Sequence, residues 1–150
     1  MSRILFLLSA ILSLFFLTIS ACGVKAPPYL PRQDFPLKVE DLWSEWRNGN
    51  LYLSGHISGL KESEGALDLI KGCILYYAGY SFKAQPCVGC PIDYQGFHEF
   101  GHEVIFLNGL ALEVPKKFIG EVSFFKVYLK GPKGAIGPPS NTTKVETEKD

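Results

Sequence analysis

Phe118-Ile119-Gly120-Glu121-Val122-Ser123-Phe124-Phe125-Lys126-Val127-Tyr128-Leu129 is the longest β-rich segment of this sequence. Its Val122, Phe124, Phe125, Val127 and Leu129 are residue types that pack well on a pleated surface. Gly131-Pro132-Lys133-Gly134 breaks the run, and Gly137-Pro138-Pro139-Ser140 precedes a final short strand near residues 142–146. Upstream, Leu51, Leu53 and Ile57 alternate with Tyr52, Ser54 and His56, the period of a half-buried strand. Asn48-Gly49-Asn50 just before it is a hairpin signal, with Trp43 and Trp46 on the preceding arm. Residues 73–80 are rich in Ile, Leu and Tyr and read as a central strand; residues 92–94 and 104–107 are shorter runs. Residues 59–70 hold Leu60, Leu67 and Ile70 at no convincing period and read as a loop. Short strands at near-regular spacing, divided by Gly/Pro turns, predict an all-β sandwich.

The stretch Phe125-Lys126-Val127-Tyr128-Leu129-Lys130-Gly131-Pro132-Lys133-Gly134-Ala135-Ile136-Gly137-Pro138-Pro139-Ser140 resembles the last two strands of fibronectin type III domains. There an alternating strand, a Gly-containing turn and a Gly-x-x-Ser lead-in reach the edge strand. The resemblance implies an immunoglobulin-like sandwich over residues 37–146, with 51–55 in its second strand and 74–80 in its third. Two positions depart from the family. Gly55-His56 stands where a core Trp is usual, and Ser123 where a Tyr is usual. Bacterial lipoproteins that join a Cys-Gly-x-Lys start to such a domain, with a Cys-x-x-Cys-Pro loop inside it, look similar.

The N-terminal stretch concerns location. Arg3 is followed by residues 4–19, apolar but for Ser9, Ser13 and Thr18, and then by the small pair Ser20-Ala21. This is the pattern of a secretory signal peptide over residues 1–21. The run is slightly long for a signal h-region and slightly short of the roughly 20 residues of a membrane span; an uncleaved anchor is the competing reading. Ile19-Ser20-Ala21-Cys22 resembles the bacterial lipobox, with Ile19 where Leu is usual. The resemblance implies cleavage between Ala21 and Cys22, diacylglycerol on the Cys22 thiol and an acylated new amino terminus. Multiple acyl chains give stable anchoring where one is marginal. Gly23, rather than Asp, stands after that Cys, so the resemblance implies delivery to the outer membrane; the location expected is its periplasmic side.

Residues 22–36 follow as a Pro-rich tether. Pro27, Pro28, Pro31 and Pro36 forbid helix and favour an extended, semi-rigid spacer. The same stretch resembles the start of the LptM (YifL-type) lipoproteins, Cys-Gly-x-Lys-Gly-Pro-Leu-Tyr-x-Pro. Cys22, Gly23, Lys25, Pro27, Tyr29 and Pro31 match; Ala26 and Pro28 do not. In that family the segment associates with the lipopolysaccharide-export translocon, so the resemblance implies Gly23, Lys25, Pro27, Tyr29 and Pro31 as a partner segment. After residue 146 the sequence is a polar tail, 147–150.

The 15 Lys and Arg balance the 15 Asp and Glu, which argues against a nucleic-acid partner, since that would want a basic face. Beyond Cys22 there are three cysteines, Cys73, Cys87 and Cys90. Cys87-Val88-Gly89-Cys90-Pro91 lacks the helix start of a thioredoxin-like site, and Pro91 takes the place of the His a c-type haem would need. In an exported protein the default for Cys87 and Cys90 is a disulfide, stiffening a loop that carries Phe97 and Phe100 towards a partner. Free thiols, or a bridge from Cys73 to either loop cysteine, stay open. So does zinc: His98 and His102 complete Cys-x2-Cys-x7-His-x3-His, with a gap shorter than the usual spacing of roughly 12 to 15. Cys73 itself reads as a small buried hydrophobe.

Catalytic constellations are sparse. Ser54 and His56, with Asp68, share no recognised motif, and a solvated strand face accounts for them. His98, Glu99, His102 and Glu103 beside Phe97 and Phe100 read as a polar loop with aromatic anchors, or as a metal- or pH-responsive cluster. The sequence therefore predicts no enzyme and no cofactor. It predicts a lipid-anchored outer-membrane protein acting as a binding or scaffold module, with a cell-envelope protein as partner. Two alternatives compete: an accessory factor of the lipopolysaccharide translocon acting through residues 23–31, and a metal- or redox-active protein acting through Cys87 and Cys90.

Overall fold

Nine strands, all antiparallel, make two facing sheets among the described residues of the computed structural model, which are 35–59, 67–107 and 109–147. The leader, Ala21 and Cys22, the segment Gly23, Lys25, Pro27, Tyr29 and Pro31, and residues 148–150 lie outside them. So do residues 60–66, the greater part of the loop expected over 59–70.

β1 (Lys38–Arg47) and β2 (Asn50–Ser58) form a hairpin closed by Asn48 and Gly49, with φ of 50° and 75°. Two left-handed residues match the strand twist, which is why an Asn-Gly pair sits there. Sheet one continues from β2 to β6 (Gly109–Glu113) and then to β5 (Ile105–Phe106). Sheet two runs β4 (Gly96–Phe100), β3 (Gly72–Tyr80), β7 (Val122–Lys130), with β8 (Ile136–Pro139) and β9 (Thr143–Glu146) both paired to β7. In order, β1, β2, β6 and β5 take the A, B, E and D places of an immunoglobulin-like sandwich. β3 and β7 take C and F, β8 and β9 share G, and β4 is an added C′ strand. The all-β, immunoglobulin-like architecture expected from the sequence is what the structure has.

The core follows from alternation. Leu51, Leu53 and Ile57 of β2 face Leu75 of β3 and Phe125, Val127 and Leu129 of β7, all completely or almost completely buried. Gly55 occurs in the same inward row because β1 bulges above it. A Cβ there would lie 2.4 Å from Val39 Cγ1, so the β1 side chains fill the room a larger residue would need. The bulge falls between Glu40 and Trp43, with Asp41 left-handed at φ 51°. Its peptide at Leu42 is claimed from the other sheet. The Leu42 N–H donates to Asn141 Oδ1 at 2.7 Å, and Leu42 O accepts from Asn141 Nδ2 at 2.9 Å and Thr143 Oγ1 at 2.6 Å. Three side-chain hydrogen bonds thus tie the first strand to the last.

The residues at the two departures from the fibronectin pattern each have a local role. Gly55 makes room for the bulge, and buried Ser123 accepts from the Gly120 N–H at 2.8 Å, closing the turn before β7. In the Gly-Pro-Pro-Ser stretch, Ser140 Oγ accepts from the Val127 N–H at 2.9 Å and donates to Asn141 O at 2.7 Å. A Cβ at Gly137 would sit 2.1 Å from Leu37 O, so glycine there lets the incoming chain pass.

Four local expectations need correcting. Residues 92–94 form no strand; pairing begins at Gly96, after Gln95 bonds Tyr77 O through its N–H and Gly79 through its side chain. Of residues 104–107 only Ile105 and Phe106 are strand, since Val104 closes a 3-10 turn, His102–Val104. Phe118 ends another 3-10 turn, Lys116–Phe118, and the long strand starts at Val122. Thr147, assigned to the tail, is held by Glu121 O at 3.0 Å and Gly120 O at 2.9 Å.

Candidate functional site

The outward face of sheet two is aromatic where a solvent-facing sheet is normally polar. β3 turns Ile74, Tyr76, Ala78 and Tyr80 outward, because Cys73, Leu75 and Tyr77 take the inward positions. β7 turns Phe124, Lys126 and Tyr128 outward beside them, in register Ala78↔Phe124, Tyr76↔Lys126 and Ile74↔Tyr128. β4 adds Phe97 and Glu99. Tyr76 is the hub: its ring centroid lies 5.2 Å from Tyr128, 5.7 Å from Phe97 and 6.2 Å from Tyr94. The Tyr128 and Tyr94 contacts are edge-on, a geometry favoured by the ring quadrupole. Tyr80 meets Phe124 edge-on at 5.8 Å. Lys126 Nζ stands 5.2 Å over the Tyr94 ring, and Tyr94 shares a 3.1 Å hydrogen bond with Thr142. Burial holds the Tyr94 and Tyr128 phenols above the ordinary tyrosine range, with neighbouring phenols raising them further. Phe97 is 58% exposed at the edge of the patch.

The connection from β3 to β4, residues 81–95, borders this face. The Tyr80 hydroxyl donates to Asp93 O at 2.9 Å, and the Phe82 N–H donates to Glu121 at 2.9 Å. Cys87 and Cys90 lie at disulfide distance, with Cα atoms 5.2 Å apart. Their ring, with Pro86 and Ile92, walls a groove of about 530 Å³ that includes Phe124 and Lys144. Val88 at the tip of that ring is fully solvent-exposed. Cys73 is a buried free thiol on the inward side of β3, as expected, and is not the partner of either loop cysteine. Burial, with the Glu103 carboxylate adding to it, pushes that thiol up to about 12.

The remaining candidates do not converge. Among the described residues no three His, Cys, Asp or Glu side chains form a metal-sized cluster, so Cys87, Cys90, His98 and His102 are not brought together. His102 Nδ1 is committed to Ile70 O at 2.8 Å, and His98 stacks edge-on at 4.9 Å from Phe100 on the inward side of β4. Glu103 caps the Gly101 N–H at 2.9 Å, and Glu99 pairs with Lys130. Phe97 and Phe100, expected to face a partner together, fall on opposite faces of β4: Phe97 looks out, while Phe100 packs against the core. Ser54 and His56 share the outer face of sheet one, whereas Asp68 sits in a 3-10 turn leading into sheet two.

Sequence reasoning missed the aromatic patch. Its signal was present: Tyr76 and Tyr80, and Phe124 and Tyr128, are each four apart, so each pair shares one strand face. No protein-family model matches this chain, and no curated protein matches it.

Proposed function

We propose that this chain is a lipid-anchored lipoprotein on the periplasmic side of the outer membrane, whose fibronectin type III-like sandwich is a non-enzymatic binding module. The lipobox resemblance at Ile19-Ser20-Ala21-Cys22 supports the anchor. The observation that carries the binding role is the aromatic patch around Tyr76, bordered by the Cys87–Cys90 ring. Exposed apolar patches on otherwise balanced surfaces mark interaction sites, and Tyr and Phe are enriched at interface centres. The partner expected is a protein of the cell envelope. A photocrosslinking residue at Phe97 tests this in intact cells, against the same residue at His56 on the opposite sheet. A discrete adduct from position 97, lost when Tyr76 and Tyr128 are replaced by Ser, supports the reading. Equal adducts from both positions refute it. Cys22→Ala tests the anchor: lipid labelling should vanish and the protein should leave the outer membrane.

A second reading has its own observation, the six matches to the LptM-type start at Cys22, Gly23, Lys25, Pro27, Tyr29 and Pro31. On that reading the tether is the active part, in lipopolysaccharide-translocon assembly. A chain ending at residue 36 separates the two. Full activity of that short form in envelope assembly favours the tether, and loss of activity favours the sandwich.

A further inference from the structure

We infer that the end of the sandwich at which the chain enters rests on the lipid surface, with Phe106 and Leu107 inserted at the headgroup boundary. The inference rests on the lipid-anchor reading of Cys22 and adds the orientation of the domain.

Leu107 is the outlier that prompts it. It is 88% exposed at the turn after β5, and its φ of 45° is left-handed, a conformation that favours Gly or Asn. A bare apolar side chain held in a strained turn gains nothing within the fold. Such strain points to a role outside it. Phe106 beside it is 56% exposed and Leu69 is 50% exposed.

Register puts these residues at the chain's entry. Phe106 pairs with Gly109, Gly109 with His56 and His56 with Glu40, so Phe106 shares a row with the start of β1. Pro36 O lies 2.9 Å from where a Cβ of Gly59 would be, and the Phe35 ring lies over Gly131. Leu69 lies three residues before Gly72, the first residue of β3, which pairs with Lys130 beside Gly131. Phe35, Leu69, Phe106 and Leu107 therefore occupy one end of the two sheets. The opposite end carries the Asn48-Gly49 turn, Trp46 and Lys116.

The length of chain before Phe35 selects the occupant. Residues 22–34 reach at most about 40 Å if fully extended as polyproline. β1 alone is about 30 Å long. Turning the far end to the bilayer would make the tether double back along the domain and spend most of that reach. With the entry end down, none of that reach is needed to pass the domain, and the exposed apolar residues meet the membrane. Among the described residues at this end Asp68 and Glu103 offset Lys71 and Lys133, and Lys38 pairs with Glu40, so contact through Phe106 and Leu107 is apolar and should be insensitive to salt.

The test uses the full chain made with its own leader and reconstituted in vesicles of phosphatidylethanolamine and phosphatidylglycerol. An environment-sensitive fluorophore goes on Leu107→Cys, with Lys116→Cys as the far-end control and Leu69→Cys as a second reporter should the turn variant not fold. Buried Cys73 and the paired Cys87 and Cys90 do not compete for label. The expected result is blue-shifted emission and quenching by brominated acyl chains at positions 107 and 69, unchanged by salt, with none at 116. A chain that floats with the vesicles but shows no quenching at 107 and 69 overturns the inference and leaves the anchor intact. A chain that does not float overturns both.

Discussion

Asn141 is exposed, yet its loss should be among the costlier polar changes in this domain. Its side chain makes two of the three hydrogen bonds that satisfy the buried Leu42 peptide at the β1 bulge. In Asn141→Ala the Leu42 carbonyl keeps Thr143 Oγ1, but the N–H loses its partner. A net bond is worth about 0.5–1.5 kcal/mol, and a donor left unsatisfied and partly buried costs about 1–3 kcal/mol. The expected loss is about 2 kcal/mol, which for a domain of this size lowers Tm by on the order of 10 °C. Adding Thr143→Val strips the carbonyl too, so the double variant should lose more than the sum of the singles. Urea and thermal unfolding measure the loss, and hydrogen exchange at the Leu42 amide localises it. Glu45→Ala is the control, removing an exposed 2.6 Å pair with Arg47 and costing under about 1 kcal/mol. If Asn141→Ala matches that control and the Leu42 amide exchanges as slowly as before, the clamp does not hold β1 to β9.

Phe125→Ala should cost about 3–5 kcal/mol in the same unfolding assay, because the ring is completely buried between the sheets. Replacing Cys87 and Cys90 together by Ser should cost less than the roughly 3 kcal/mol of a 15-residue loop and leave the fold intact, since the ring is small. Intact mass with and without reductant before alkylation should show the pair oxidised. Cys73 should resist alkylation until the protein unfolds. Its thiol is raised from 9.0 to about 12, mainly by burial, so the fold favours the neutral form. The stability this contributes is complete below pH 9 and is lost as pH rises towards 12, by at most about 1.4 kcal/mol per pH unit. Tyr94 and Tyr128, also raised by burial, act in the same direction. Unfolding midpoints of the native chain and Cys73→Ala across that range check the cysteine's share.

Much of the sandwich was legible because local rules and the fold agree. Alternation in Leu51, Leu53 and Ile57 and the Asn48-Gly49 turn needed no partner to be read. The clustered β residues of 122–129 marked the strand that ends up between β3 and the pair β8 and β9. Boundaries were less legible where a hydrogen bond from elsewhere decides them. Gln95 sets where β4 begins, and the 3-10 turn at Lys116–Phe118 delays β7.

Which residues meet was a tertiary matter. The Cys-x2-Cys-x7-His-x3-His spacing is a linear fact, but β4 sends His98 inward and His102 bonds a carbonyl next to β3, so spacing carried no information about coordination. The aromatic patch is the converse case. Tyr76, Tyr94, Phe97 and Tyr128 come from two strands, an edge strand and a connection, and only sheet register brings their rings within about 6 Å. Sequence by itself determined the strand pattern, since alternation and turn residues are written in neighbouring positions. The tertiary structure decided which face became aromatic and which end holds Leu107, because register and sheet order are collective properties of packing the whole core.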